Sequence, residues 1–339
     1  MRLSRATPYR GGITRRRRGK GFSYHDATGT AVGADVRTRI EELVIPPAWR
    51  DVWISDRDRD HIQAVGYDDA GRRQYVYHPR WHTDRDTEKH DRVLELARRL
   101  PRFRERVADA LEGRGTGRDR VLAGAMRILD LGVFRTGGEQ YASENGTFGL
   151  STLRREHVRL RGDGCEFSYT AKGGIHRRVR IRDDGLVRLV RSLRRARPQG
   201  ERFLVHRDGR GWREVHSDDV NDHFRSLTAA VHTAKDLRTW NATVVAAVAF
   251  AEHGTGGGRD MSATALTRAE AAAMRSVAAA LGNTPAVARS SYVDPRVVTA
   301  FEGGRTVAAG LRRIPRGADE HRTRAGVERA VLRLLERET

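Results

Sequence analysis

Between Phe22 and Trp81 the apolar residues come in short runs that alternate with polar ones: Phe22-Ser-Tyr-His25, Asp51-Val-Trp-Ile-Ser55, His61-Ile-Gln-Ala-Val-Gly66 and Gln74-Tyr-Val-Tyr-His78. A period of two places one set of side chains on each face of a strand, so this stretch predicts a small antiparallel sheet. Asp68-Asp-Ala-Gly-Arg-Arg73 supplies the hairpin turn before the last run, and Pro46, Pro47 and Pro79 fall at the edges, where a missing N–H does no harm. One helix, near 35–43, interrupts the series. After about residue 85 the period lengthens to 3.6, with Val93, Leu94, Leu96, Ala97 and Leu100 on one helical face. Further helices are predicted at about 101–112, 118–131, 183–195, 218–231, 235–252, 267–281 and 322–337. Residues 157–181 return to strand and turn, a three-stranded meander with Lys172 at its second turn. The pattern as a whole predicts an α+β chain, with a β-rich N-terminal domain over 21–85 and a larger, mainly helical domain over 86–339.

Residues 1–20 fit neither pattern. Arg15, Arg16, Arg17, Arg18 and Lys20 stand there among glycines with little apolar material to hold them, which predicts a flexible basic arm. Charge then narrows the function. With 64 basic residues against 44 acidic ones, the chain carries +20, a surplus that repels itself until a polyanion neutralises it. Nucleic acid is the polyanion this favours, with an anionic membrane surface as the alternative. A membrane span is not expected, because no stretch approaches the roughly 18 apolar residues of a spanning helix. A lone cysteine, Cys165, allows no internal disulfide, and the N-terminus has no apolar signal region. Both fit a reducing cytoplasm, with the protein associated with the nucleoid.

Only Lys20, Lys89, Lys172 and Lys235 interrupt an otherwise all-arginine set of 64 cations. Arginine cannot release its proton near neutral pH and lysine can, so each lysine marks a place where proton transfer is conceivable. Lys172 sits on a hairpin tip, Ala171-Lys-Gly-Gly174, from which it can reach a ligand as a proton donor. Lys235 and Arg238 share the start of a predicted helix in Thr233-Ala-Lys-Asp-Leu-Arg238. Arg135 follows the helix that ends at Phe134 and precedes a glycine pair, while Asn283 or Thr284 opens a short helix that closes at Tyr292. Taken singly, each is equally an ordinary cap, a solvated cation or a packed aromatic. Gly254-Thr-Gly-Gly-Gly-Arg259 lacks the Gly-Lys-Ser/Thr ending of a phosphate loop and reads as a connector. No metal-ligand spacing and no cofactor motif is present.

In order and spacing, Arg135, Lys172, Arg238, Asn283 and Tyr292 resemble the site of the type IB DNA topoisomerases, most closely the compact poxvirus-like form found in bacteria. The resemblance implies a two-domain clamp that acts on duplex DNA as a monomer, without ATP, metal or cofactor. It implies Tyr292 as nucleophile, Lys172 as general acid, and Arg135, Arg238 and Asn283 as stabilisers of the pentacoordinate phosphorus. Asn283 departs from the poxviral enzymes, which carry histidine there; asparagine donates a hydrogen bond but cannot be charged. Gln74, Tyr75, Tyr77 and Tyr141 resemble DNA-contacting residues of the viral relatives, and Lys235 is expected to assist beside Arg238. Two rivals stay open at this level. A tyrosine recombinase or integrase shares the Arg-Lys-Arg-Tyr chemistry, and a non-catalytic DNA-compacting protein shares the charge.

Overall fold

The computed structural model describes residues 3–19, 21–139, 142, 145–198, 200–209, 211–253 and 258–338, residues 82–85 by their backbone alone. The chain forms two compact units, Met1–Lys89 and His90–Thr339.

The first unit is a five-stranded antiparallel sheet. Its strands are β1 (Ile13–Arg18), β2 (Gly21–His25), β3 (Arg50–Ile54), β4 (Ile62–Tyr67) and β5 (Arg73–Tyr77), in the order β2-β1-β3-β4-β5. Alternation serves both faces. Ile13, Val52, Ile54 and Ala64 gather on one side with Ile40 of α1 (Ala34–Glu42), and Trp53, Ile62 and Val65 form a smaller cluster. Residues 13–18, expected to be part of a mobile arm, instead form β1, inside the sheet between β2 and β3. The sequence argument weighed apolar content, but what orders this segment is ladder pairing together with one arginine. Ile13 is buried, and Arg15 lies 4.1 Å from the Phe22 ring while donating to the carbonyls of Ile45 (3.3 Å), Pro46 (3.2 Å) and Trp49 (2.7 Å). Arg16, Arg17 and Arg18 stay exposed, and Lys20 lies outside the described residues.

A single helix, α2 (Pro79–Glu112), replaces the two expected on either side of residue 101. Proline in a helix interior costs about 3 kcal/mol through a lost hydrogen bond and a ring clash. Here one apolar stripe continues through it, with Val93, Leu96, Leu100, Phe103, Val107 and Leu111 all buried, and that burial outweighs the break.

The rest of the second unit packs α3 (Arg118–Gly132), α4 (Asp184–Ala196), α5 (Ser217–Leu227), α6 (Ala234–Glu252), α7 (Ala263–Leu281), α8 (Pro285–Ser291), α9 (Pro295–Glu302), α10 (Ala308–Leu311) and α11 (Glu320–Leu335) about one core. The meander is present as β6 (Val158–Arg161), β7 (Gly164–Ala171) and β8 (Ile175–Arg182), and a further hairpin, β9 (Val205–Asp208) with β10 (Gly211–Glu214), stands apart from it. At the C-terminal end, α11 is tied down by buried charge. Arg104 binds Asp130 at 2.8 Å and Glu328 at 2.7 Å, and Arg324 binds Asp130 at 2.6 Å. Two cations thereby meet two carboxylates, so the cluster is neutral within itself and its desolvation is offset by close pairing.

Candidate active site

Two helix ends meet a strand in the second unit. Helix α3 stops at Gly132, with Val133 in the left-handed region (φ 51°, ψ 41°), and α7 stops at Leu281, with Gly282 at φ 62°. A helix C-terminus leaves carbonyls without partners and carries partial negative charge, which suits it to hold cations. Three arginines take these carbonyls. Arg177 of β8 donates to Val133 (3.2 Å), Gly132 (3.4 Å) and Ala280 (2.9 Å). Arg238 of α6 donates to the carbonyls of Val133 and Leu281, and reaches Asn283 Oδ1 at 3.4 Å. Arg135 donates to the Gly282 carbonyl (3.4 Å) and to Asn283 Oδ1.

Every contact just named is to a carbonyl or an amide, and none is to a carboxylate. The guanidinium groups are therefore oriented by dipoles, and none of the three forms an ion pair with a carboxylate among the described residues. Two buried donors, Arg238 Nε and Asn283 Nδ2, have no hydrogen-bond partner among the described residues. An orphaned buried donor costs about 1–3 kcal/mol, so the pocket favours a ligand that brings acceptors and negative charge.

Arg135 is fixed through its own backbone. The Leu150 and Ser151 N–H groups donate to the Arg135 and Thr136 carbonyls, each at 2.8 Å, clamping the segment after α3 against a second one. The closeness of the two requires glycine, because a Cβ on Gly149 would stand 2.4 Å from Gly137 Cα.

Tyr292 closes α8, whose N-cap is Thr284 rather than Asn283, with Thr284 Oγ1 accepting from Val287 N–H at 3.3 Å. That leaves the Asn283 side chain to the arginines. The Tyr292 N–H donates to Ala288 (3.2 Å), and just beyond it Asp294 N–H donates to Thr243 Oγ1 (3.2 Å) while its carboxylate grips Arg296. The phenol is thus held between two anchored points. Its ring centre lies 5.3 Å from the Arg238 guanidinium carbon. Burial pushes the Tyr292 phenol up, but Arg238, by charge and hydrogen bond, and then Arg135 and Lys235 outweigh it, and the net direction is down. Burial, and next the charge of Arg135, bring the Arg238 guanidinium down to about 10, which still leaves it charged at neutral pH.

Four of the five residues in the expected constellation, Arg135, Arg238, Asn283 and Tyr292, are thus joined by direct contacts. The fifth, Lys172, stands exposed on the β7–β8 turn, before Gly173 (φ 84°) and Gly174 (φ 74°). Lys235 lies in the first turn of α6, one helical turn before Arg238. Gln74, Tyr75 and Tyr77 belong to the first unit. The two tyrosines share a face of β5 with rings 5.7 Å apart, and Tyr77 stacks on Trp81 at 6.4 Å. Gln74 points to the other face and donates to Asp68 Oδ2 at 2.9 Å. Tyr141 lies outside the described residues.

Sequence reasoning missed Arg177, although a signal was there. It sits at the inward position of Ile175, Val179 and Ile181 along β8, a charge on a face that is otherwise apolar.

Residues 78–301, which include all five residues of the constellation, match the family described as eukaryotic DNA topoisomerase I, catalytic core. The chain belongs to the type IB DNA topoisomerases. Residues 21–68 of this topoisomerase also match the bacterial DNA topoisomerase IB N-terminal domain. A DNA topoisomerase 1B of Acanthamoeba polyphaga mimivirus is 27% identical to it over 289 residues, 83% of this chain and 85% of the viral one. Gln74, Tyr75 and Tyr77 fall between the two family matches.

Proposed function

We propose that this topoisomerase relaxes duplex DNA by transient cleavage of one strand, with Tyr292 as nucleophile and a 3′-phosphotyrosyl link as intermediate. The observation that carries the reading is the cluster of Arg135, Arg238 and Asn283 around Tyr292, cationic, held by carbonyl dipoles and rich in unspent donors. A phosphodiester repels nucleophiles, and its transition state gathers charge on the non-bridging oxygens. Preorganised donors aimed there are worth about 3 kcal/mol apiece. Arg135 and Arg238 take those oxygens, and Asn283 Nδ2 finds in them its missing acceptor. The bond from Tyr292 Oη to phosphorus forms as the bond to the 5′ oxygen breaks, and Lys172 supplies the proton that oxygen needs, a contribution of roughly 10²- to 10⁴-fold.

Because the phosphotyrosyl link conserves the energy of the broken bond, resealing by the 5′ hydroxyl needs no ATP. Fixed cations supply the charge that a metal would otherwise bring. The stacked Tyr75 and Tyr77, together with Gln74 and the exposed Arg16–Arg18 of the first unit, contact DNA in this reading, as Lys235 does in the second. All these groups lie on one chain, so a monomer suffices.

The test is relaxation of a supercoiled plasmid in EDTA without ATP, paired with Tyr292→Phe. The wild type should relax the plasmid and leave a covalent adduct after detergent quench; Tyr292→Phe should bind DNA and leave none. A plasmid that stays supercoiled, or an adduct that survives in the variant, overturns the reading.

A further inference from the structure

Three consecutive residues of α2, all in the second unit, reach the two segments that carry Tyr292 and Arg238. His90 is 4% exposed, with Nδ1 3.7 Å from Asp294 Oδ2. Asp91 Oδ1 accepts from Arg296 Nη1 at 3.0 Å, and Arg92 Nη2 donates to Asp236 Oδ1 at 2.8 Å. Successive helical positions are turned by about 100°, so the three contacts grip α2 over roughly 200° of its circumference. Contacts spread so widely resist rolling as well as sliding.

Each contact lands beside a group of the site. Asp294 stands two residues past Tyr292, and its carboxylate accepts from the Arg296 backbone N–H (3.0 Å) and from Arg296 Nη2 (2.8 Å). Arg296 is thus a clip between α2 and the cap of α9. Asp236 stands two residues before Arg238 and is 2% exposed. Its other carboxylate oxygen accepts from the Thr233 N–H (2.8 Å) and hydroxyl (3.0 Å), which fixes the first turn of α6. The Asp294 N–H, donating to Thr243 Oγ1 at 3.2 Å, leads back to α6. A closed circuit results, from α6 through Arg92 to α2, then through Asp91, Arg296 and Asp294 to α6 again. Arg92 and Arg296 are engaged with carboxylates, which sets them apart from Arg135 and Arg238, whose bonds go to carbonyls and an amide.

We propose that Asp91 and Arg92 are positioning residues, which hold Tyr292 and Arg238 in register with each other through α2. This rests on the reading of Tyr292 as nucleophile and Arg238 as a phosphate ligand. A closed circuit differs from two separate props in one respect. A single break releases the constraint, so a second break adds little.

The test is single-turnover formation of the covalent adduct at saturating duplex DNA. It compares wild type, Asp91→Ala, Asp91→Glu, Arg92→Gln, the double variant Asp91→Ala/Arg92→Gln, and Tyr292→Phe. Dissociation constants are measured in the Tyr292→Phe background, and melting curves check folding; both α2 side chains are partly exposed, so the single variants should fold. A misplacement of about 1 Å between reacting groups can cost about 10²-fold, so Asp91→Ala and Arg92→Gln should each slow adduct formation on the order of 10-fold, with affinity unchanged. Asp91→Glu, which keeps the carboxylate, should recover most of the rate. The double variant should stay close to the slower single variant. Wild-type rates in both single variants, slowing matched by lost affinity, an Asp91→Glu as slow as Asp91→Ala, or a double variant at the product of the two losses overturns the proposal. Should the double variant be unfolded at the assay temperature, the single variants and Asp91→Glu decide. Tyr292→Phe tells the two failures apart. An adduct in that variant brings down the assignment of the nucleophile and the proposal with it; no adduct there, with Asp91→Ala and Arg92→Gln unslowed, brings down the positioning role alone.

Discussion

Replacing Arg238 separately by glutamine and by lysine divides what its charge does from what its shape does. The guanidinium donates to Val133, Leu281 and Asn283 and lies 5.3 Å from the Tyr292 ring centre, at only 3% exposure. Glutamine removes the charge and the fork together. Losing a preorganised donor to the phosphate costs about 3–4 kcal/mol, so single-turnover cleavage at neutral pH should fall by roughly 10²- to 10³-fold. Lysine keeps the charge but lacks the planar fork that spans two carbonyls from different segments while also reaching a phosphate oxygen. Losing one charge-assisted hydrogen bond of about 1.5–3 kcal/mol should slow it roughly 10- to 10²-fold.

The pH profile gives an independent readout of the same pair. Nearby cations favour the phenolate, and Arg238 heads those that hold Tyr292 below its ordinary value. Taking that cation away lets the phenol drift back up, so the rising limb of the cleavage rate should move to higher pH in Arg238→Gln and hold its place in Arg238→Lys. Both variants orphan at least one helix-end carbonyl, at about 1–3 kcal/mol each, so a melting curve must show that the protein is folded at the assay temperature. A rising limb that does not move in Arg238→Gln, with the fold intact, refutes the electrostatic argument for activating Tyr292.

Asp130→Asn should lower the melting temperature clearly, because it leaves Arg104 and Arg324 to share Glu328 alone, and breaking a buried pair costs about 3–5 kcal/mol. The acid sensitivity should change with it. Arg324 and Arg104 outweigh burial and hold the Asp130 carboxyl at about 2, below its ordinary 3.8, so the wild type gains about 2 kcal/mol that is present above pH 4 and lost as the pH falls through 2; denaturation followed by circular dichroism should show this component missing from the variant. Gly149→Ala drives a methyl into the backbone at Gly137 and shifts the segment that carries Arg135; we expect a loss of about 1–3 kcal/mol in stability and slower cleavage, and an unchanged melting curve would count against the close approach. Lys172→Arg should slow cleavage far more than Lys235→Arg, since arginine keeps the charge but not the transferable proton. Similar losses at the two positions would refute the general-acid role.

Much of the architecture was written in the spacing of apolar residues. Period two between Phe22 and Tyr77, period 3.6 beyond Val93 and the return to strands expected over 157–181 all survive in the fold, because burial on one face of a strand or helix is a local requirement. Residue type suggested a chemistry, since few side chains attack, protonate or neutralise a phosphodiester, and their order along the chain resembled one family's, which the match over residues 78–301 then showed. Periodicity failed where long-range contacts overrule local preference. Arg15, which looks like part of a soluble arm, orders β1 by binding carbonyls some 30 residues away, and Pro101 sits inside α2 because a continuous buried stripe outweighs the broken hydrogen bond. The active-site geometry was least legible. Arg135 and Asn283 lie 148 positions apart in sequence, and only the meeting of two helix C-termini makes them neighbours. The carbonyls that hold the arginines carry no side-chain signature at all, since every residue has one; which of them are left unpaired is decided by where α3 and α7 end and by what packs against those ends.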